Sequence, residues 1–161
     1  GCYNQEIKDK LISIIYHDIK DNKTYEKYID ELQFDYRKGF QKNKTIILYG
    51  KFKISYGDQS HIKKLMYDYD NIRKQTQPQK VNCCGSIFKN PKNRSAWKLI
   101  KSSIDESFYN GPIKLSKKHS NFFENDPNIS ADSIDLFISI IQKRVKDKHK
   151  ILLEKELRIV D

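Results

Sequence analysis

A serine directly after a glycine, two apolar residues behind it, then a lysine, an amide and a proline: the heptapeptide Gly85-Ser86-Ile87-Phe88-Lys89-Asn90-Pro91 carries the densest chemistry in this chain. Gly85 has no Cβ, so a ligand can come close to the backbone there. Ile87 and Phe88 anchor the serine, and Asn90 offers a donor and an acceptor from one planar group. Lys89 is a cation able to meet a phosphate. A second stretch of this kind lies near the end of the chain. In Leu153-Glu154-Lys155-Glu156-Leu157-Arg158-Ile159, apolar residues alternate with charged ones. That is strand patterning, and it puts Glu154 and Glu156 on one face. His17, His61 and His149 read as surface histidines.

Composition narrows the class. The length of 161 residues suits one domain or one and a half. Hydrophobic residues make up 37%, and ten tyrosines and eight phenylalanines are enough for a core, which excludes strong disorder. No apolar run approaches the roughly 18 residues of a membrane span, and no cleavable signal pattern is present. Three cysteines, Cys83 and Cys84 adjacent, make no disulfide framework, which favours a reducing cytoplasm. No Cys/His cluster has zinc-ligand spacing, so no metal is expected. The net charge of +10 leaves two readings. A basic chain with aromatics can be a nucleic-acid-binding module. Here the lysines are scattered rather than striped, which favours a positive cleft for a phosphorylated small molecule and no nucleic-acid partner.

The elements that would position these groups read as an α+β chain. Residues 10–17 form a strand of branched residues, 21–23 a turn, and 28–32 a short helical turn. Residues 45–55 form a strand with Ile47, Tyr49, Phe52 and Ile54 as packing residues. A first module, 1–56, ends at Tyr56-Gly57, and a second spans 57–161. Asp58 caps a helix over 60–74, whose apolar face is Ile62, Leu65, Met66, Tyr69 and Ile72. Thr76-Gln77-Pro78 ends it and a loop runs to Cys84. A short strand over 86–88, a helix over 95–104 and extended segments over 112–115 and 120–123 follow. Ser130 caps the clearest helix, 131–148, with Ile134, Phe137, Ile138, Ile141 and Val145 as its stripe. Residues 152–160 form the last strand.

The heptapeptide resembles the substrate-domain signature of the UDP-N-acetylenolpyruvoylglucosamine reductase (UDP-N-acetylmuramate dehydrogenase) family. Leu115-Ser116-Lys117-Lys118-His119-Ser120-Asn121-Phe122 is similar to the family's V-S-x-K-H-A-N-F. Leu153-Glu154-Lys155-Glu156-Leu157-Arg158-Ile159-Val160 is similar to its terminal L-E-x-E-V-R-I-I. Phe34-Asp35-Tyr36-Arg37 resembles F-x-Y-R, Arg73 with Thr76-Gln77-Pro78 resembles R-x-x-T-Q-P, and Gly1-Cys2-Tyr3 resembles the G-A-Y-G turn of the flavin domain. The motifs keep the family's order over nearly the whole chain. Asn82-Cys83-Cys84 stands where the family carries P-S-A, and Gly39 where a serine usually follows F-x-Y-R. No extra tyrosine-bearing loop is present, as in the shorter branch.

The resemblance implies a fold, an activity and roles. Residues 1–56 would be the incomplete end of an FAD-binding domain and 57–161 the substrate domain. With only six glycines and no glycine-rich loop, the chain is expected to be a C-terminal half that needs the N-terminal half for flavin binding. The implied reaction is reduction of UDP-N-acetylglucosamine enolpyruvate to UDP-N-acetylmuramate by NADPH through FAD, a step of peptidoglycan synthesis in the cytoplasm. Ser86 aligns with the proton donor, Arg37 with the active-site arginine and Glu156 with the catalytic glutamate. Tyr36, Lys89, Asn90 and His119 would meet substrate, and Gly1, Tyr3 and Gly85 the cofactor. An inactive remnant of the enzyme and a basic nucleic-acid-binding module remain the competing readings.

Overall fold

Branched and aromatic residues pack on one side of β1 (Leu11–Asp18), and the strand forms where the sequence places it. The computed structural model describes residues 3, 5–40 and 42–159. The chain divides into two units, Gly1–Gln59 and Ser60–Asp161. In the first, β1 is the middle strand of an antiparallel sheet ordered β2-β1-β3, with β2 at Lys23–Tyr28 and β3 at Thr45–Phe52. Leu11, Ile14, Tyr16 and Leu32 form its small core, backed by Ile29, Phe34 and Phe40.

Two strand readings need correction. Sequence reasoning found the turn at 21–23 but not β2. Its residues Lys-Thr-Tyr-Glu-Lys-Tyr are almost all exposed, so no apolar alternation marks them. They become a strand because β1 supplies partners, Asp18 opposite Lys23 through Ser13 opposite Tyr28. β3 ends at Phe52, and its expected packing residues face solvent: Tyr49 is 68% exposed and Ile54 90%. β3 is an edge strand, and the core of this unit gathers around β1 instead.

The second unit holds nearly all of α1 (Gln59–Thr76), then α2 (Ala96–Ser103), a short antiparallel pair β4 (Ile113–Leu115) and β5 (Phe123–Asn125), and α3 (Ala131–His149). The helix over 60–74 exists, but its apolar stripe is uncovered, Met66 being 66% exposed. α3 follows its sequence signals closely. The Ser130 hydroxyl accepts from the Ser133 N–H at 3.2 Å, and Ile138, Ile141 and Val145 are fully buried. Lys150, in the left-handed region at φ 60°, ends it. α3 packs with Leu99 and Ile100 of α2, and with Leu115, Phe123, Ile87 and Phe88.

The two expected strands at 86–88 and 152–160 reduce to a single antiparallel bridge, Phe88 opposite Lys155. Only a few ladder bonds join them, so neither continues as a regular strand. Leu153 is buried as the alternation expects, but Ile159 is 49% exposed. Val160 lies outside the described residues.

Asp18 provides a pH-linked test of the first unit. Its side chain is almost inaccessible and is bonded by Lys42 Nζ at 2.6 Å and the Lys20 N–H at 2.9 Å. The Lys42 bond, then the Lys20 bond, holds its pKa below the ordinary 3.8. A carboxyl lowered on folding adds stability above its unfolded pKa, and that contribution is lost as pH falls through the folded value. Asp18→Asn is therefore expected to lower the melting temperature at pH 7 and to flatten its decline below about pH 5. An unchanged acid limb in thermal unfolding scans would remove this pair as a stabilising element.

Candidate active site

Gly85 turns the chain with φ +89°, a conformation that side-chain-bearing residues avoid. No protein atom lies within 4 Å of where its Cβ would stand. The glycine is thus required by the backbone, and the space above it is open. Ser86 follows, half-buried, and among the described residues its hydroxyl has no hydrogen-bond partner. Ile87 and Phe88 then plunge into the core at 0% and 1% exposure, which fixes the serine at the rim.

The segment after Ser86 is held on both edges. On one side, the Glu156 N–H donates to the Ile87 carbonyl at 2.8 Å, and the Lys89 N–H donates to the Glu154 carbonyl at 2.9 Å. On the other, the Ile87 N–H donates to the Asn121 carbonyl at 2.8 Å. The buried Asn121 side chain accepts from the Phe88 N–H at 3.0 Å and donates to the Phe88 carbonyl at 2.8 Å. Ser86 therefore directly precedes the residue whose carbonyl the Glu156 N–H bonds. Sequence reasoning put the two residues in separate motifs; the bridge joins the backbones of those motifs.

Lys89 forms an ion pair with the exposed Glu154. A phosphate at Lys89 must compete with that carboxylate. The Asn90 side-chain oxygen accepts from the Ala96 N–H, the first residue of α2, at 2.9 Å, so it serves the helix start. His119 packs between Trp97, 5.9 Å between centroids, and Phe122, edge-on at 4.8 Å. Its Nδ1 accepts from the Asn121 N–H at 3.3 Å. Burial lowers its pKa below the ordinary 6.5, so it is a neutral ring at pH 7, with its proton on Nε2 by this contact. Such a ring can donate a hydrogen bond but carries no fixed positive charge. Burial also raises the Cys83 and Cys84 thiols, which keeps both protonated near neutrality.

The remaining candidates lie in the first unit. Asp35 and Lys38 exchange backbone bonds at 3.2 and 2.9 Å, making a tight turn with Tyr36 and Arg37 at its tip. Arg37 has φ 57°, an unusual backbone for a residue with a side chain, and its guanidinium lies 5.2 Å from the Tyr36 ring centroid. Both line a cleft of about 810 Å³ together with Tyr3, Asp9, Phe34 and Gly39. Tyr3, expected to meet the cofactor, and Arg37, expected as the active-site arginine, thus line one cleft. Gly1 lies outside the described residues. Among the described residues no group of three or more His, Cys, Asp or Glu could hold a metal, and no helix is long and apolar enough to cross a membrane.

Sequence reasoning gave Asn121 no more than a part in shaping the pocket. It stood inside the Lys118-His119-Ser120-Asn121-Phe122 motif, and a buried amide in an apolar neighbourhood is the signal that points to it.

The reductase from Pelagibacter ubique is 33% identical over 99% of this chain and 54% of its own length. The one from Oceanobacillus iheyensis is 36% identical over 99% of this chain and 52% of its own. Both are named UDP-N-acetylenolpyruvoylglucosamine reductase. The chain spans about half the length of these relatives. The crystal structure of UDP-N-acetylenolpyruvylglucosamine reductase from Thermus caldophilus superposes with a TM-score of 0.81 at 24% identity, over 100% of this chain and 57% of that one, and shares its fold. Residues 77–160, which contain Ser86, Asn121 and Glu156, match the model of the C-terminal domain of UDP-N-acetylenolpyruvoylglucosamine reductase, and the chain belongs to that family.

Proposed function

We propose that this chain works as the C-terminal half of a reductase that converts UDP-N-acetylglucosamine enolpyruvate to UDP-N-acetylmuramate in the cytoplasm, with residues 57–161 as its substrate domain. The observation that carries the reading is the backbone bond from the Glu156 N–H to the Ile87 carbonyl, which joins the segment that carries Ser86 to the segment that carries Glu156. Conversion of the enolpyruvyl group needs a hydride at C3 and a proton at C2. When bound, FAD supplies the hydride and NADPH replenishes it. Open space over Gly85 and, in the first unit, the cleft shared by Tyr3 and Arg37 are each compatible with a planar cofactor. The chain has no glycine-rich pyrophosphate cradle, so the N-terminal half would complete the cofactor site.

This chain's own residues do the rest. Charge develops at C2 and spreads into the substrate carboxylate as the hydride arrives, and groups aimed at it lower the barrier. Arg37 grips that carboxylate in a two-pronged contact beside Tyr36. Ser86 gives its proton to C2, a role open to a poorly acidic hydroxyl only when its placement is tight. Glu156 orients the acid system next to it. Lys89 exchanges Glu154 for a substrate phosphate, Asn90 adds a polar contact, and neutral His119 lines the pocket with Trp97.

Two outcomes test this. The 161-residue chain, purified alone and mixed with FAD, is expected to keep no stoichiometric flavin after gel filtration, because the cradle is missing; tight retention would show that the N-terminal half is not needed. In a flavin-loaded enzyme containing this chain, Ser86→Ala is expected to leave reduction by NADPH nearly intact. It should slow reoxidation by the enolpyruvyl substrate by about 10²–10⁴-fold, the usual contribution of a general acid. Stopped-flow absorbance separates the two halves, and an unaltered second half would end the assignment of Ser86.

A further inference from the structure

We infer that Asn121 is the positioning residue of this site: its side-chain amide, bonded twice to the Phe88 peptide, fixes the register of the segment that presents Ser86 and pairs with Glu156. The inference rests on the reading of Ser86 as the proton donor.

The geometry is specific. Asn121 is 4% exposed. Its Oδ1 accepts from the Phe88 N–H at 3.0 Å and its Nδ2 donates to the Phe88 carbonyl at 2.8 Å, while its own carbonyl receives the Ile87 N–H at 2.8 Å. One residue thus satisfies three backbone groups of residues 87–88. The arrangement imitates one rung of a sheet where no strand runs. Without it, the Phe88 N–H and carbonyl would be left in a site that water does not reach. The opposite edge of the same segment is bonded to residues 154–156. Loss of the two side-chain bonds leaves the Phe88 N–H and carbonyl unpaired, with only the Ile87 N–H still bonded on that edge through the backbone carbonyl of residue 121, so the segment that presents Ser86 is held less firmly. A donor displaced by about 1 Å from its target can lose about 10²-fold in rate.

Asn121 itself is shielded behind Ile87 and Phe88, and its amide has no acidic proton to give. Its effect therefore runs through Ser86. His119 belongs to the same device from the other side, since its Nδ1 takes the Asn121 N–H.

The test compares Asn121→Ala, Asn121→Asp and Ser86→Ala in the flavin-loaded enzyme containing this chain, with both half-reactions followed by stopped flow and thermal unfolding recorded alongside. Asn121→Ala is expected to slow reoxidation by the enolpyruvyl substrate about 10²-fold and to leave reduction by NADPH within a factor of about two. Asn121→Asp keeps the size and, when protonated, can restore both bonds. Burial raises its pKa, so its second-half rate is expected to climb as pH falls, a recovery that Asn121→Ala cannot show. If Asn121→Ala does not fold, the pH-dependent recovery of Asn121→Asp decides alone. Equal slowing of both halves, an unchanged second half, or an Asn121→Asp profile parallel to wild type would each overturn the role of Asn121. A normal second half in Ser86→Ala would instead overturn the donor reading beneath it.

Discussion

Asn121's buried amide has no water to turn to, and its partners are the peptide groups of Phe88. Leaving such a buried donor or acceptor unpaired costs about 1–3 kcal/mol, against the roughly 1 kcal/mol that a made bond contributes. That asymmetry selects one register for residues 85–90 and rejects its neighbours. The rest of the site follows from it. A one-residue slip that carried Ser86 into the buried place of Ile87 would also carry Phe88 out of the core. With the register fixed, Ile87 and Phe88 fill the space against α3, Ser86 stands at the rim, and the other edge of the segment is left to receive Glu156 and Glu154.

Charge is arranged around this frame rather than within it. Lys89 is matched by Glu154, and Lys155 by Asp135 on α3, so the returning chain is tied at two neighbouring points. Both are partly exposed pairs, worth a fraction of a kcal/mol each, and they refine the fit rather than hold it. The uncovered apolar residues tell a complementary story. Ile46, Leu48 and Tyr49 on the edge strand β3 and Ile62, Met66 and Ile72 on α1 face solvent in a chain that spans about half the length of its relatives. Apolar surface of this kind is unusual on an isolated domain.

How far the sequence could be read depended on whether a residue's role was local. α3 was legible to within a residue because cap, stripe and stop are all written in consecutive positions. β2 was not, since Lys23, Thr24 and Glu26 carry no apolar pattern and become a strand only through β1. The stripes of β3 and α1 were legible as patterns, but patterning does not say whether a partner covers them. In the site, Gly85 and Ser86 stood out from their own neighbours, while the bond between Ile87 and Glu156 joins positions 69 residues apart and leaves no trace in either motif. Asn121 was visible as part of a motif, yet its function depends on its burial and on the peptide of Phe88, 33 residues away.

The account's central claim, that residues 87–89 and 156 are locked by bonds on both edges, is tested most directly by native-state amide hydrogen exchange on this chain. The amides of Ile87, Phe88, Lys89 and Glu156 should exchange with the same opening free energy as the core amides of α3 at Ile141 and Val145, because the segment can open only when the second unit unfolds. Exchange of these four amides at rates typical of the exposed α1 surface, with α3 still protected, would mean that the segment frays on its own and that Ser86 is not held in place by the fold.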